Sequence, residues 1–230
     1  MTRILFFALF FHNCLISIAQ KTGTEVLKSV HQKYYQAPCK CYSFSQKNYH
    51  YRNDSIVKTS VWQETIEFPD KFKIVFGDKA DGNFVIFRND SVVNYKKDQI
   101  IKSKSDSNSL LLILGGMFYR DWQDVEQRLI KGNYDLNILS VQKWNNRDFY
   151  VIGAKENDNQ KNQIWIDKKT NRVKRIIEKL NQNDWMDMRF ESHQDWCNGY
   201  VETKVSFRRN GVLEQVEEYF DLKIENSFYH

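Results

Sequence analysis

Two hydrophobic periods divide the chain. Val26, Leu27, Val30 and Tyr34 recur at helical spacing, which predicts a helix over Thr24 to Tyr35. Thr24 can cap it, Lys21 to Gly23 lead in, and Pro38 ends it. From Cys39 the period changes to two. Tyr42 and Phe44 start a strand that runs to about Tyr51, and Arg52-Asn53-Asp54 makes a turn. Ile56 to Phe68 alternates with Trp62, Ile66 and Phe68 on one face, until Pro69-Asp70 breaks it. Phe72, Ile74 and Phe76 alternate next, with Lys71 and Lys73 outside. Asp81-Gly82-Asn83 is a hairpin signal, and Asn83 to Arg88 and Val92 to Tyr95 flank another at Asn89-Asp90. This pattern predicts a meander of antiparallel strands.

The period then switches. Residues 102–108 are polar and serine-rich, and read as an irregular segment. Ser109 to Tyr119 and Asp121 to Lys131 read as two helical pieces, with Gly115-Gly116 as a break and Gly132-Asn133 as the stop. The run SLLLILGGMF, residues 109–118, is far shorter than the roughly 20 residues a bilayer demands. It is therefore either ordinary core or a movable lid over an apolar hollow, and core is the simpler reading.

Strands resume with Asp135 to Trp144 and Asp148 to Ala154 around the turn Asn145-Asn146-Arg147. Gln163 to Asp167, Arg172 to Leu180, Trp185 to Phe190, Val201 to Arg208 and Val212 to Ile224 follow. About ten or eleven strands and three helical segments are expected. An antiparallel sheet this large must curl and must cover one face. The expected class is α+β, mainly antiparallel β: a curved incomplete β-barrel with helices covering its concave face.

The first residues, MTRILFFALFFHNCLISIAQ, have the form of a secretory signal: Arg3 in the n-region, an apolar run, and Ser17-Ile18-Ala19 before a cleavage point. Residues 1–19 are thus expected to be a signal peptide and 20–230 one domain. Cleavage takes the formal charge from +5 to +4, because Arg3 leaves and no acid goes with it. Lysines and acids interleave, which predicts a solvated surface and no nucleic-acid stripe. Three cysteines remain, Cys39, Cys41 and Cys197. Cys39 and Cys41 are too close for an easy bridge with each other. Either one can reach Cys197, and an exported chain can keep that bridge; three partly buried thiols are an equal alternative.

Catalytic signatures are sparse. His31, His50, His193 and His230 are scattered, and no pair has metal-ligand spacing. His193-Gln194-Asp195 brings a histidine near a carboxylate without a nucleophile. Glu217-Glu218 reads as a solvated strand end, and Asp121, Asp124 and Glu126 as acids at a helix start. No enzyme, metal or cofactor is expected. The aromatics say more: 6 Trp, 12 Tyr and 16 Phe, many on alternating strand positions, are high for a domain of this size. Most must fill the core, but a curved sheet can offer more apolar concave face than three helices can fill. An apolar hollow that took a 16-carbon chain would gain on the order of 10 kcal/mol before ordering costs.

The order of elements resembles the LolA-like superfamily, which includes periplasmic outer-membrane lipoprotein carriers and related lipid-carrying proteins. The resemblance rests on Phe68-Pro69-Asp70-Lys71-Phe72-Lys73-Ile74, on the hairpin Asp81 to Phe87, on the central helical insert, and on Gln163-Ile164-Trp165-Ile166-Asp167 followed by Lys168 to Val173. It implies a half-barrel with a helical lid and a cavity for acyl chains. It also implies a periplasmic or secreted monomer that takes lipid or lipoprotein from an inner-membrane donor to an outer-membrane acceptor. The cavity residues expected on this basis are Trp62, Ile66, Phe72, Ile74, Phe84, Ile86, Leu111, Leu114, Met117 and Phe118. Two features depart from the resemblance. The arginine that ties strand to lid has no clear match, with Lys40, Lys58 and Arg52 as candidates, and the tail adds a strand pair with an acidic face of Glu214, Glu217 and Glu218. An envelope protein-binding or sensor module of the same fold, without lipid, is the alternative.

Overall fold

The computed structural model describes residues 21–36, 39–106 and 108–228. The expected signal peptide and the helix stop at Pro38 lie outside the described residues.

Helix α1 is Gly23–Tyr34. Its cap is Thr22 and not Thr24. The Glu25 amide donates to the Thr22 hydroxyl at 3.2 Å, and the Thr22 amide donates to the Glu25 carboxylate at 2.7 Å. Glutamate three places after Thr22 decides between the two threonines, because only that pair closes a capping box.

Six strands follow as a meander: β1 Cys41–Arg52, β2 Ser55–Glu67, β3 Lys71–Phe76, β4 Phe84–Arg88, β5 Ser91–Lys96 and β6 Gln99–Ser105. Asn53-Asp54, Asn89-Asp90 and Lys97-Asp98 turn three of the hairpins, all with φ between 49° and 60°. Positive φ at both central residues is what a two-residue hairpin requires, and Asn and Asp tolerate it. Strand β6 corrects the irregular segment expected from residue 102. It is exposed along its whole length and pairs on one side only, so no core imposes alternation on it.

The insert consists of α2 Ser109–Leu114, a 3-10 turn Gly116–Tyr119, and α3 Trp122–Lys131. Then come β7 Leu139–Trp144, β8 Arg147–Ile152, β9 Gln163–Asp167, β10 Val173–Lys179 and β11 Trp185–Glu191. A small hairpin, β12 Gln194–Trp196 with β13 Gly199–Val201, precedes β14 Lys204–Arg209 and β15 Val212–Ile224.

Thirteen strands form one antiparallel sheet in the order β6-β5-β4-β3-β2-β1-β15-β14-β11-β10-β9-β8-β7. This exceeds the ten or eleven expected, chiefly through β6, and the β12–β13 hairpin stands apart. The terminal strands β1 and β15 meet at the middle, with Tyr42 opposite Ile224 and Asn48 opposite Glu217. Strands β6 and β7 are unpaired edges, so the sheet is a curved half-barrel and not a closed one. The insert connects these two edges.

The insert divides the concave side into two halves. Ile113, Met117, Phe118, Val125 and Leu129 join α1 and the inner residues of β8 to β11 and β14 in one packed core. Leu111 turns instead to Tyr42, Phe44 and Phe68 of the β1–β2 half. Cys39 is bonded to Cys197, Cα to Cα 5.4 Å, which ties the lead-in of β1 to the β12–β13 turn. Cys41 is free and buried.

Candidate functional site

A hollow of about 220 Å³ remains between α2 and the β1–β2 half of the sheet. Every second residue of each strand points into it: Tyr42, Phe44 and Gln46 from β1, Trp62, Glu64 and Ile66 from β2, Phe72 and Ile74 from β3. The far wall is Phe190 of β11, Val205 and Phe207 of β14, and Glu217 and Tyr219 of β15. Leu110, Leu111 and Leu114 of α2 close the top. The longest apolar run is therefore two-sided: Ile113 and Met117 are core, and Leu110, Leu111 and Leu114 face the hollow.

Six of the ten expected cavity residues line it: Trp62, Ile66, Phe72, Ile74, Leu111 and Leu114. Four do not. Phe84 and Ile86 lie on the opposite face, because the register sets Val85 against Ile74 and Phe87 against Phe72. Phe84-Val85-Ile86-Phe87 is apolar throughout, so its pattern carries no phase, and a one-residue error inverts the strand. Phe84 instead stacks on Tyr95 at 4.3 Å, with the Lys73 ammonium over its ring. Met117 is fully buried in the main core. Phe118 packs on Tyr34 and borders a small annex of about 40 Å³, which shares Tyr42, Phe68, Leu114, Val201 and Glu202 with the hollow.

Three carboxylates in the wall were not expected. Trp62-Glu64-Ile66 obeys the period of two, so Glu64 must share the inner face with its apolar neighbours. Glu217 corrects the exposed acidic face read from the tail. Its strand partners are Asn48 and Val205, which places it inside and buried. Glu214 and Glu218 do lie outside, paired with Arg209 at 2.9 Å and Lys204 at 3.3 Å. Glu202 enters from the end of the β12–β13 hairpin and is also buried.

Burial dominates the chemistry of these groups. It pushes Glu217 up to about 7, against hydrogen bonds from the Tyr219 hydroxyl and the Gln215 amide, both at 2.6 Å. Burial likewise raises Glu202 to about 7. Glu64 stands well above the usual carboxylate range, through burial first and the negative charge of Glu217 second. Its Oε1 is buried without a hydrogen-bond partner.

A larger groove of about 470 Å³ meets the hollow at Asn108 and Leu111, but charged side chains line it. Arg120 pairs with Asp124 at 2.7 Å and Asp70 at 3.4 Å, and Arg128 with Asp124 at 2.9 Å and Asp90 at 2.8 Å. These pairs tie the insert to the β2–β3 and β4–β5 turns. The tie therefore runs from arginines of the insert to aspartates of the sheet, while Lys40, Lys58 and Arg52 are exposed.

His193 and Asp195 do not act together. The His193 Nδ1 accepts from Lys174 at 2.7 Å, its Nε2–H donates to the Val173 carbonyl at 3.1 Å, and Asp195 pairs with Arg172. Burial and Lys174 push the imidazole down to about 4, so it stays neutral. Among the described residues no three His, Cys, Asp or Glu side chains converge as a metal site would need.

Solved structures share this architecture. A LolA superfamily protein from Nitrosomonas europaea superposes with TM-score 0.59, over 90% of this chain and 96% of that one, at 14% identity. An outer membrane lipoprotein-sorting protein domain from Vibrio parahaemolyticus gives 0.62 over 90% and 94%, also at 14%. The fold is that of the LolA-like proteins. A DUF1329 family protein from Desulfovibrio piger superposes on this chain with TM-score 0.60, over 90% and 93%, at 13% identity. No protein-family model and no curated protein matches the chain in sequence.

Proposed function

We propose that the chain is an exported carrier that holds acyl chains of a lipid or lipoprotein between the half-barrel and α2. The observation that carries this reading is the apolar hollow under Leu110, Leu111 and Leu114 in a LolA-like fold. At ~30 Å³ per water-sized group, the hollow has room for roughly seven such groups. A chain segment of that length gains about 6 kcal/mol at ~0.8 kcal/mol per buried CH2. That suits a carrier, which must release what it binds. About half of a 16-carbon chain would fill the hollow, and the remainder would pass its rim.

The signal-like leader and the Cys39–Cys197 bridge both suit an oxidising compartment outside the cytoplasm. One structural relative is named as an outer membrane lipoprotein-sorting protein domain. We infer that this chain works in the periplasm as a monomer and moves cargo from an inner-membrane donor to an outer-membrane acceptor. Its work needs no catalytic group.

Native mass spectrometry of the protein taken from its own envelope tests the reading. A bound species that delipidation removes, and that Leu114→Trp excludes, would support it and name the cargo. A clean apo mass, with no uptake of an uncharged fluorescent alkyl probe, would overturn it in favour of an envelope protein-binding module.

A further inference from the structure

We propose that the hollow selects amphiphiles bearing a protonated amine, whose ammonium seats on Glu64. This deepens the carrier reading and rests on it.

The ionisable side chains of the wall are all acids, which burial holds toward the protonated form until an opposite charge enters and displaces the proton. Glu64, Glu202 and Glu217 line the hollow, and no lysine, arginine or histidine does among the described residues. The other titratable groups there are Tyr42 and Tyr219, both neutral. Lys174 acts on Glu202 from outside the wall while held on His193. Glu217 has its acceptors taken, one by Tyr219 and one by Gln215. Glu64 does not. It is 3% exposed, its strand neighbours are Phe44 on one side and Ile74 on the other, and its Oε1 has no donor. A buried acceptor without a donor is a standing penalty that a ligand can remove.

The chemistry that removes it is specific. A ligand hydroxyl gives one donor and no charge. An ammonium gives three donors and the positive charge that this wall lacks. A carboxylate or phosphate entering head-first would meet three acidic groups. A metal ion is a poor alternative, because the carboxylates do not converge on one point. The apolar remainder of the wall, from Trp62 and Ile66 to Leu111 and Leu114, takes the hydrocarbon.

The test compares three ligands of equal chain length on the delipidated protein at pH 8: dodecylamine, 1-dodecanol and dodecanoate. All are kept below micelle formation, and binding is read by calorimetry. The expected order is amine, then alcohol, then carboxylate, with the amine about tenfold or more tighter than the alcohol, as a charge-assisted hydrogen bond supplies. Glu64→Gln removes that ratio and leaves the alcohol within about threefold. Should Glu64→Gln not fold, Glu217→Gln and the wild-type order carry the test, because Glu217→Gln also lowers the amine preference. Equal binding of amine and alcohol, or a preference that survives both substitutions, overturns the proposal and leaves the carrier standing. No binding by any of the three overturns both.

Discussion

Phe68 packs its ring onto the bare Cα of Gly115; a Cβ at that position would lie 2.0 Å from the ring's Cζ. The ring in turn stacks on Tyr119 and lines the hollow. The glycine pair is thus a seat where the insert meets the β2–β3 corner. Gly115→Ala must part the two or displace the ring, and overpacking of this kind costs about 1–3 kcal/mol. Chemical denaturation checks it. Gly132→Ala, whose added Cβ meets nothing nearer than 3.3 Å, stays within about 1 kcal/mol of wild type.

Leu114 and Met117 separate cargo from stability. Leu114 faces the hollow, so Leu114→Trp fills free volume, blocks uptake of an alkyl probe, and changes stability by less than about 1.5 kcal/mol. Met117 is fully enclosed by the main core. Met117→Trp costs about 1–3 kcal/mol or more and lowers the melting temperature before it touches binding. Equal loss of stability in both would mean that the hollow is already filled.

The strands were legible where one face is buried and a turn sets the phase. Gln163–Asp167 and Val212–Ile224 emerge with the bounds their patterns predict. Asn-Asp and Asn-Asn pairs marked hairpins because few other residues tolerate two positive φ angles in succession. Strand β6 was hidden because an exposed edge imposes no alternation. Phe84 and Ile86 were misplaced because a strand apolar on both faces has period but no phase. Glu64 was available in principle, since its neighbours Trp62 and Ile66 fix its direction. Glu217 was not, because Val216 and Glu217 are both buried beside a register shift in the β14–β15 pair.

The Cys39–Cys197 bridge closes a loop of 158 residues in sequence separation. In the chain-entropy account such a loop stabilises by about 5 kcal/mol. Cys39→Ser or reduction therefore lowers the denaturation midpoint by a large margin. Cys41→Ser leaves it nearer wild type, because that thiol is free. Thiol titration of the protein without its leader is expected to give one thiol after denaturation and two more after reduction.

Stability should fall as pH rises through neutrality. Glu202 and Glu217 titrate at about 7 in the folded chain, against about 4.3 when unfolded. The folded state thus holds protons that the unfolded state has released. Their stabilisation is complete below the unfolded value and is lost as pH rises through the folded one. His193, depressed to about 4, works in the opposite sense between its folded value and about 6.5. The window from about pH 6.5 to 8 therefore isolates the buried glutamates. Glu202 and Glu217 each account for roughly 1 kcal/mol of loss across it, and Glu64, also raised by burial, adds in the same sense. Denaturation at the two ends of that window measures the slope, and Glu217→Gln should make it shallower, both by its own loss and because its charge helps to raise Glu64 and Glu202. A flat profile would mean that water reaches these carboxylates. A bound ammonium reverses the preference, because it stabilises the ionised wall. Dodecylamine affinity should then rise across the same window and binding should release protons, seen as a calorimetric heat that depends on the buffer.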